Sequence, residues 1–419
     1  MITLTFILTT LVLYILVRDF LHPAFFLFFF FTVGYILLDI VPGYYSVRIE
    51  SSFVIYLYLL IFSTGSFLTT ILLKKKYKKV DFLKNGLKQF YLNKRILNFL
   101  FYIFFIGLLI YVYRYLNLLF SYSSLAEYYY EMRKASLTGN HLVKNNSFFA
   151  CILSFSSVLS IIIFYRILTE KSSVLFKLLF ISFLILVSIA QTIEGARSTI
   201  SLIYISFMYI YLFHKGISSS FKVISYFLFV VFLLSINTRN IVQGDVFGIL
   251  FYFFKHIILY AYGSLIAFDY FFNNYFFIES NFFSRMTDKL NSYLDIFDIA
   301  VINKPDNPLM NYTVISSEQR TNIYTCFATY ISYFGYYGTV LVLMFNSFII
   351  TFVYLKRYNY IYFFLYSLFF ATLCLSSLKE FFFLSFPYSL RLLILLTILS
   401  KYNFFARFPM PFLKSYNKI

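Results

Sequence analysis

KKKYKKVDFLKNGLKQFYLNKR, Lys74 to Arg95, gathers nine basic residues around one acid, Asp81, and sits between two long apolar runs. A basic loop between apolar runs is the orientation signal of a cytoplasmic face. The surrounding composition requires a membrane: of 419 residues 61% are hydrophobic and only 12% charged, with a mean hydropathy of +0.79. That is more apolar side chain than one soluble core encloses. The reading is therefore an all-α polytopic membrane protein. A net charge of +18 invites a nucleic-acid partner. Locating the charges removes that reading, because the densest block serves topology and attraction to anionic lipid head groups. With 41 Tyr, 60 Phe and no Trp, tyrosine takes over the interface anchoring that Trp usually shares.

Walking outward from Lys74–Arg95, apolar windows of about 17–25 residues qualify as spans. They fall near 2–17, 24–40, 53–73, 96–120, 148–168, 174–193, 198–213, 221–236, 336–355, 360–377 and 386–400, about eleven transmembrane helices in all. The first is expected to be retained rather than removed as a signal peptide. With 74–95 inside, Arg166–Lys177, His214–Lys222, Lys356–Arg357 and the basic tail fall on the same side. This alternation requires that 246–272, which carries Lys255 and His256 in its middle, does not cross. It is expected to form re-entrant or surface-lying helices, since charge is costly in hydrocarbon. The external segments are then a loop over 121–147 and a large loop over 270–320, the latter with six acids against four bases. No internal repeat is visible, and 1–419 reads as a single membrane domain.

Charges at membrane boundaries carry the functional signal, because keeping them there costs a few kcal/mol on insertion scales. Arg197 lies in QTIEGARSTI, where Glu194, Gly195 and Arg197 interrupt two apolar runs; Arg239 lies in SINTRNIVQGD. Each alone has an ordinary explanation: an arginine at a helix end snorkels, and Glu194 pairs with Arg197. Together on the outer side, with Lys255, His256 and Arg320, they form a cationic patch where the positive-inside rule disfavours one. Such a patch suits a lipid-linked phosphate or diphosphate, which guanidinium forks bind bidentately. Glu127, Glu131 and Arg133 either contact sugar or pair among themselves, and Tyr128–Tyr130 offers rings for sugar stacking. Lys255 and His256 equally fit the polar side of a surface-lying helix. Three cysteines and four scattered histidines lack ligand spacing, so no metal site is indicated. No Asp-X-Asp motif or phosphate-cradling glycine loop is present, which argues against a nucleotide-sugar donor.

In TNIYTCFATYISYFGYYG, Thr321 to Gly338, a polar entrance precedes a span that contains Gly335 and Gly338. Outward-facing helix starts of this kind meet anions, and glycines permit close approach. NIYTCFATYISYFGYYG resembles the Asn-X-Tyr-Thr segment and Tyr/Phe-Gly-X-X-Gly step of bacterial O-antigen and oligosaccharide-repeat-unit polymerases. AYGSLIAFDYF, Ala261 to Phe271, is similar to the helix that precedes their external loop, and EGARSTI to their Gly-X-Arg-Ser step. The likeness covers roughly 175–355.

The resemblance implies a GT-C-like membrane glycosyltransferase in the bacterial inner membrane, its site facing the periplasm. It would join undecaprenyl-diphosphate-linked repeat units into O-antigen or a similar surface polysaccharide of the lipopolysaccharide type. The growing chain would pass to the non-reducing end of a new lipid-linked unit. No cofactor is implied; the partners would be the lipid-linked oligosaccharides, membrane lipid and a chain-length regulator protein, with no nucleic acid. By this likeness Arg197 and Arg239 hold the donor diphosphate; the acceptor hydroxyl is deprotonated by Glu194, by His256 or by no dedicated base, and Arg320, Asn322, Tyr324, Lys255, Tyr262 and Arg133 are candidate substrate contacts. The related O-antigen ligases carry His-Asn where this chain has Thr321-Asn322, which argues for polymerase over ligase. A flippase for the same lipid-linked sugars is the other alternative. Flippases are built of repeated halves with short loops, whereas this chain has no repeat and a ~50-residue loop.

Overall fold

The computed structural model of the protein describes residues 2–40, 47–74, 93–123, 127–128, 131, 147–194, 197–215, 262–274, 313–314, 320–321, 325–376 and 382–400. The elements are α1 (Ile2–Val17), α2 (Pro23–Ile40), α3 (Ile49–Lys74), α4 (Lys94–Phe120), α5 (Ser147–Thr169), α6 (Val174–Ile193) and α7 (Arg197–Lys215). There follow α8 (262–274), the two-residue strands β1 (Thr313–Val314) and β2 (Arg320–Thr321), α9 (Cys326–Leu355), α10 (Tyr360–Leu375) and α11 (Phe382–Leu399). Among the described residues, six segments are long and apolar enough to cross a bilayer: Pro23–Ile40, Ile49–Leu73, Lys94–Leu118, Cys151–Thr169, Val174–Ile193 and Phe334–Leu355. Shorter apolar helices are Ile2–Val17, Tyr360–Leu375 and Phe386–Leu399. The span expected over 221–236, and 246–261 of the expected non-crossing stretch, lie outside the described residues.

Burial is inverted relative to a water-soluble bundle, as a polytopic membrane protein requires. Leu4, Leu8, Leu11 and Ile15 on α1, Phe99, Ile103, Ile106 and Ile110 on α4, and Leu178, Ile181 and Ile185 on α6 are exposed. Their three- and four-residue spacing makes one stripe per helix. Ser51, Ser66, Ser156, Ser206 and Ser347 are fully buried. In lipid, small and hydroxylic residues at interfaces let helices approach and bond across, while large apolar residues face the acyl chains.

The chain divides into two units. Unit 1 comprises Met1–Lys78, Ile241–Lys356 and Phe369–Ser385. Here α1 and α2 pack together and both meet α3, while α3 runs along α9. Gly65 permits that α3–α9 approach, because a Cβ there would collide with the Ser347 hydroxyl. One turn on, Ser66 and Thr351 share a hydroxyl–hydroxyl bond of 2.5 Å. Inside α9, Gly335 has φ 67° and ψ −179°, a region essentially reserved for glycine. Its role is thus conformational: it kinks α9 just inside the membrane-length segment that starts at Phe334. At one end of unit 1, His22 meets Thr70 at 3.0 Å and the Tyr354 hydroxyl donates to Asp19. Lys74, the last residue of α3, lies at this end.

Unit 2 comprises Lys79–Asn240, Arg357–Leu368 and Phe386–Ile419. α4 packs on α5 and α6, α5 also meets α6 and α7, and α6 meets α7. Phe101 and Phe183 stand 5.2 Å apart and Phe164 and Phe207 4.3 Å apart. Gln191 reaches across to Ser157 at 3.0 Å. One end of the unit collects charge: Lys94 pairs with Glu170 at 3.0 Å, and Arg166 bonds Asn98 at 2.7 Å. The Asn93 N–H donates to Leu399 at 3.0 Å at the same end. Twenty residues of α6, at 1.5 Å per residue, carry the chain about 30 Å away to the opposite end.

Candidate functional site

α6 starts on a Ser173 cap, whose hydroxyl accepts from the Phe176 N–H at 3.2 Å, and stops at Glu194. Glu-Gly-Ala cannot continue an apolar helix well, since glycine costs about 1 kcal/mol in a helix interior; α7 then begins at Arg197. Around this turn, at the end of unit 2 away from Lys94 and Arg166, polar groups from four elements converge. The Tyr111 hydroxyl of α4 donates to Glu194 Oε1 at 2.6 Å, and Glu194 remains partly exposed. The Tyr128 hydroxyl donates to the Ile193 carbonyl at 2.6 Å. Thr199 on the first turn of α7 bonds the Tyr388 hydroxyl of α11 at 2.9 Å. Arg391 lies 5.5 Å from the Tyr388 ring. Arg114, one turn beyond Tyr111, covers the Tyr115 and Phe149 rings at 5.6 and 5.9 Å.

Arg391 lies in Phe386–Leu399, one of the shorter apolar helices, where a charge is costly if the segment meets hydrocarbon. Arg391 stands nine residues after Phe382 and eight before Leu399, about 12 Å or more along the axis from either end of α11. Among the described residues the ion pairs are Lys94–Glu170 and Arg166–Glu170, so no described carboxylate pairs with Arg391. A carboxylate that accepts from a phenol can orient a hydroxyl proton.

Unit 1 carries a second polar cluster. Asp269 on α8 is 1% exposed, and its Oδ1 accepts from Ser51 Oγ at 2.5 Å and from the Arg48 N–H at 3.1 Å. Ser51 is in the first turn of α3 and Arg48 immediately precedes it, so the carboxylate holds the start of that helix from another element and meets its positive dipole end. The Arg48 guanidinium bonds Asn273 Oδ1 at 2.8 Å, and Asn273 returns a bond to the Asp269 carbonyl at 2.8 Å.

The residues singled out by sequence are placed as follows. Glu194 sits in the unit 2 cluster, and Arg197 opens α7 beside it, its side chain lying outside the described residues. Tyr262 is in the unit 1 core, 8% exposed and packed with Ile266 against Leu38 and Val47. Arg320 lies in β2, its backbone opposite Val314. Arg239, His256, Lys255, Asn322, Tyr324 and Arg133 lie outside the described residues. Tyr128 is fully buried, so its ring builds the unit 2 core rather than stacking on a sugar. Glu127 binds its own turn, accepting from the Ser123 N–H at 2.9 Å and its hydroxyl at 2.5 Å. Sequence reasoning missed Arg391, Tyr111, Tyr388 and Asp269. Arg391 and Asp269 were signalled by the same rule that found Arg197, an ionisable group inside an apolar run; the tyrosines had no signal among 41.

Among the described residues no three His, Cys, Asp or Glu side chains gather into a metal-binding group. No protein-family model, characterised protein or solved structure gives a significant match to this chain.

Proposed function

We propose that the protein is a membrane glycosyltransferase that joins polyprenyl-diphosphate-linked oligosaccharide units, as the resemblance to O-antigen polymerases implies. It would be built of about eleven spans in a GT-C-like arrangement, with its site on the periplasmic side of a bacterial inner membrane. The observation that carries this reading is the meeting of Glu194 and Tyr111 beside the helix that Arg197 opens. That meeting is at the end of unit 2 opposite Lys94 and Arg166, and hence opposite the basic loop that the positive-inside rule assigns to the cytosol.

The chemistry follows from charge. Breaking the anomeric carbon–oxygen bond of the donor places negative charge on the departing diphosphate. Guanidinium groups that grip it more tightly as that charge grows lower the barrier. The attacking sugar hydroxyl must lose its proton, and Glu194, held by the Tyr111 phenol, is placed to orient or accept it. Arg197 and Arg239 are assigned to the diphosphate, and Arg320, Asn322 and Tyr324 to the polar entrance where lipid-linked substrate arrives.

The test is genetic and chemical together. Arg197→Ala and Arg239→Ala should each abolish long polymer in cells while single lipid-linked units accumulate. A charge-assisted contact is worth ~1.5–3 kcal/mol, a rate loss of roughly tenfold to a hundredfold per arginine. Normal polymer ladders from both variants would remove the diphosphate assignment.

A further inference from the structure

Glu194 is held through its side chain and through the backbone beside it, and two phenols do the holding. Tyr111 of α4 donates to the carboxylate at Oε1, 2.6 Å away. Tyr128 donates to the carbonyl of Ile193, the residue before, also at 2.6 Å. The two phenols come from different parts of the chain: Tyr111 lies within α4, whereas Tyr128 belongs to the connection between α4 and α5. Tyr128 is nonetheless fully buried, and so is the Ile193 that it reaches. The Tyr122 ring, at the start of the same connection, stands edge-on to the Tyr128 ring at 5.4 Å.

Two ordinary uses of Tyr128 cover only part of this. Filling a core takes a ring, and phenylalanine, with 60 copies in this chain, supplies one without a hydroxyl. Capping takes a donor: the last carbonyls of a helix have no partner within it, and α6 stops at Ile193. A cap of this kind adds stability wherever it falls. Here it falls on the residue whose successor carries the carboxylate of the site. Glutamate has three rotatable side-chain bonds, so its oxygens are placed only when the backbone at one end and the carboxylate at the other are both fixed. Tyr128 and Tyr111 fix one end each.

We infer that Tyr128 is a positioning residue of the unit 2 site: by pinning the last turn of α6 at Ile193, it keeps the Glu194 carboxylate on Tyr111, ready to orient the acceptor hydroxyl. The inference rests on the glycosyltransferase reading and adds to it that an interhelical connection, and not only the helices, sets the geometry of the acid. Tyr128 is sealed from solvent, so it acts on the reaction through Glu194 and not by touching substrate. Its contribution is preorganisation, and a reacting group displaced by about 1 Å loses up to about a hundredfold in rate.

The test uses the purified full chain in proteoliposomes with one lipid-linked oligosaccharide unit. Initial rates of chain extension are compared for wild type, Tyr128→Phe, Tyr111→Phe and the double variant. Each substitution removes one oxygen and keeps the ring in place; rates are taken per folded protein, below the melting transition of every variant. Tyr128→Phe should lower kcat about tenfold and leave KM within about twofold of wild type. In the Tyr111→Phe background the same substitution should cost less than about twofold, because the carboxylate that it holds has already lost its partner. A kcat unchanged in Tyr128→Phe, whatever the melting temperature does, overturns the inference, reduces Tyr128 to a helix cap and leaves the function reading standing. A full tenfold loss in the Tyr111→Phe background overturns it too, since Tyr128 then acts by a route other than Glu194. A wild-type chain that extends nothing overturns the function reading together with this one.

Discussion

Two carboxylates sit near helix ends in this protein, and they are held in opposite ways. Asp269 in unit 1 is sealed from solvent and tied to the start of α3 through Ser51 and the N–H of Arg48, the residue before the helix. Glu194 in unit 2 is partly exposed, accepts from the Tyr111 phenol, and stands three residues before the helix start at Arg197. A buried carboxylate that satisfies a helix terminus is doing structural work, because moving it would strand donors in a dry interior. A half-open carboxylate at the junction of two helices stays reachable for chemistry. Burial of the acid, more than its presence in the membrane, separates scaffold from site.

The sharpest way to break this contrast is to remove each charge without changing shape. Glu194→Gln should lower polymer formation by about a hundredfold, within the range for loss of a proton-transfer group, while folded yield and melting temperature stay at wild-type values. Unchanged polymer from Glu194→Gln would move the site elsewhere. Asp269→Leu should show the reverse pattern: the Ser51 and Arg48 donors lose their acceptor, each at about 1–3 kcal/mol, and folded yield drops. Asp269→Asn keeps an acceptor oxygen and should recover most of that yield. A fully stable Asp269→Leu protein with lost polymer would place Asp269 in the reaction instead. A smaller effect is expected from Gly335→Ala, which forces a Cβ into backbone at φ 67° and costs about 1–3 kcal/mol. Thermal unfolding of the detergent-solubilised variant measures it, and an unchanged midpoint would mean α9 does not need its kink.

How much of this was legible in the sequence follows from the range of each signal. Spans are read from hydropathy over about twenty residues, so the helices at 2–17, 174–193 and 360–375 match their windows within a few residues. Glu194 and Arg197 were legible because they interrupt an apolar run. Arg391 was overlooked inside a window recognised as a span, although a single charge there carries the same information. Tyr111, Tyr128 and Tyr388 were illegible for a different reason. Their roles come from contacts 83, 65 and 189 residues apart in sequence, and their residue type is too common to stand out. Gly335 was read as a point of close approach between helices, yet its positive φ makes it a backbone requirement, and Gly65 is the glycine that brings α3 and α9 together. Asp269 sat in AYGSLIAFDYF, but its partners Ser51 and Arg48 lie in another helix start, which pattern alone does not pair with it.

The central claim is tested most directly by reconstitution. The full chain in proteoliposomes, given one lipid-linked oligosaccharide unit, chelator and no nucleotide sugar, should yield a ladder of oligomers and release polyprenyl diphosphate in step with each added unit. Intact units that merely cross the bilayer, or units that stay monomeric with a well-folded protein, would contradict it.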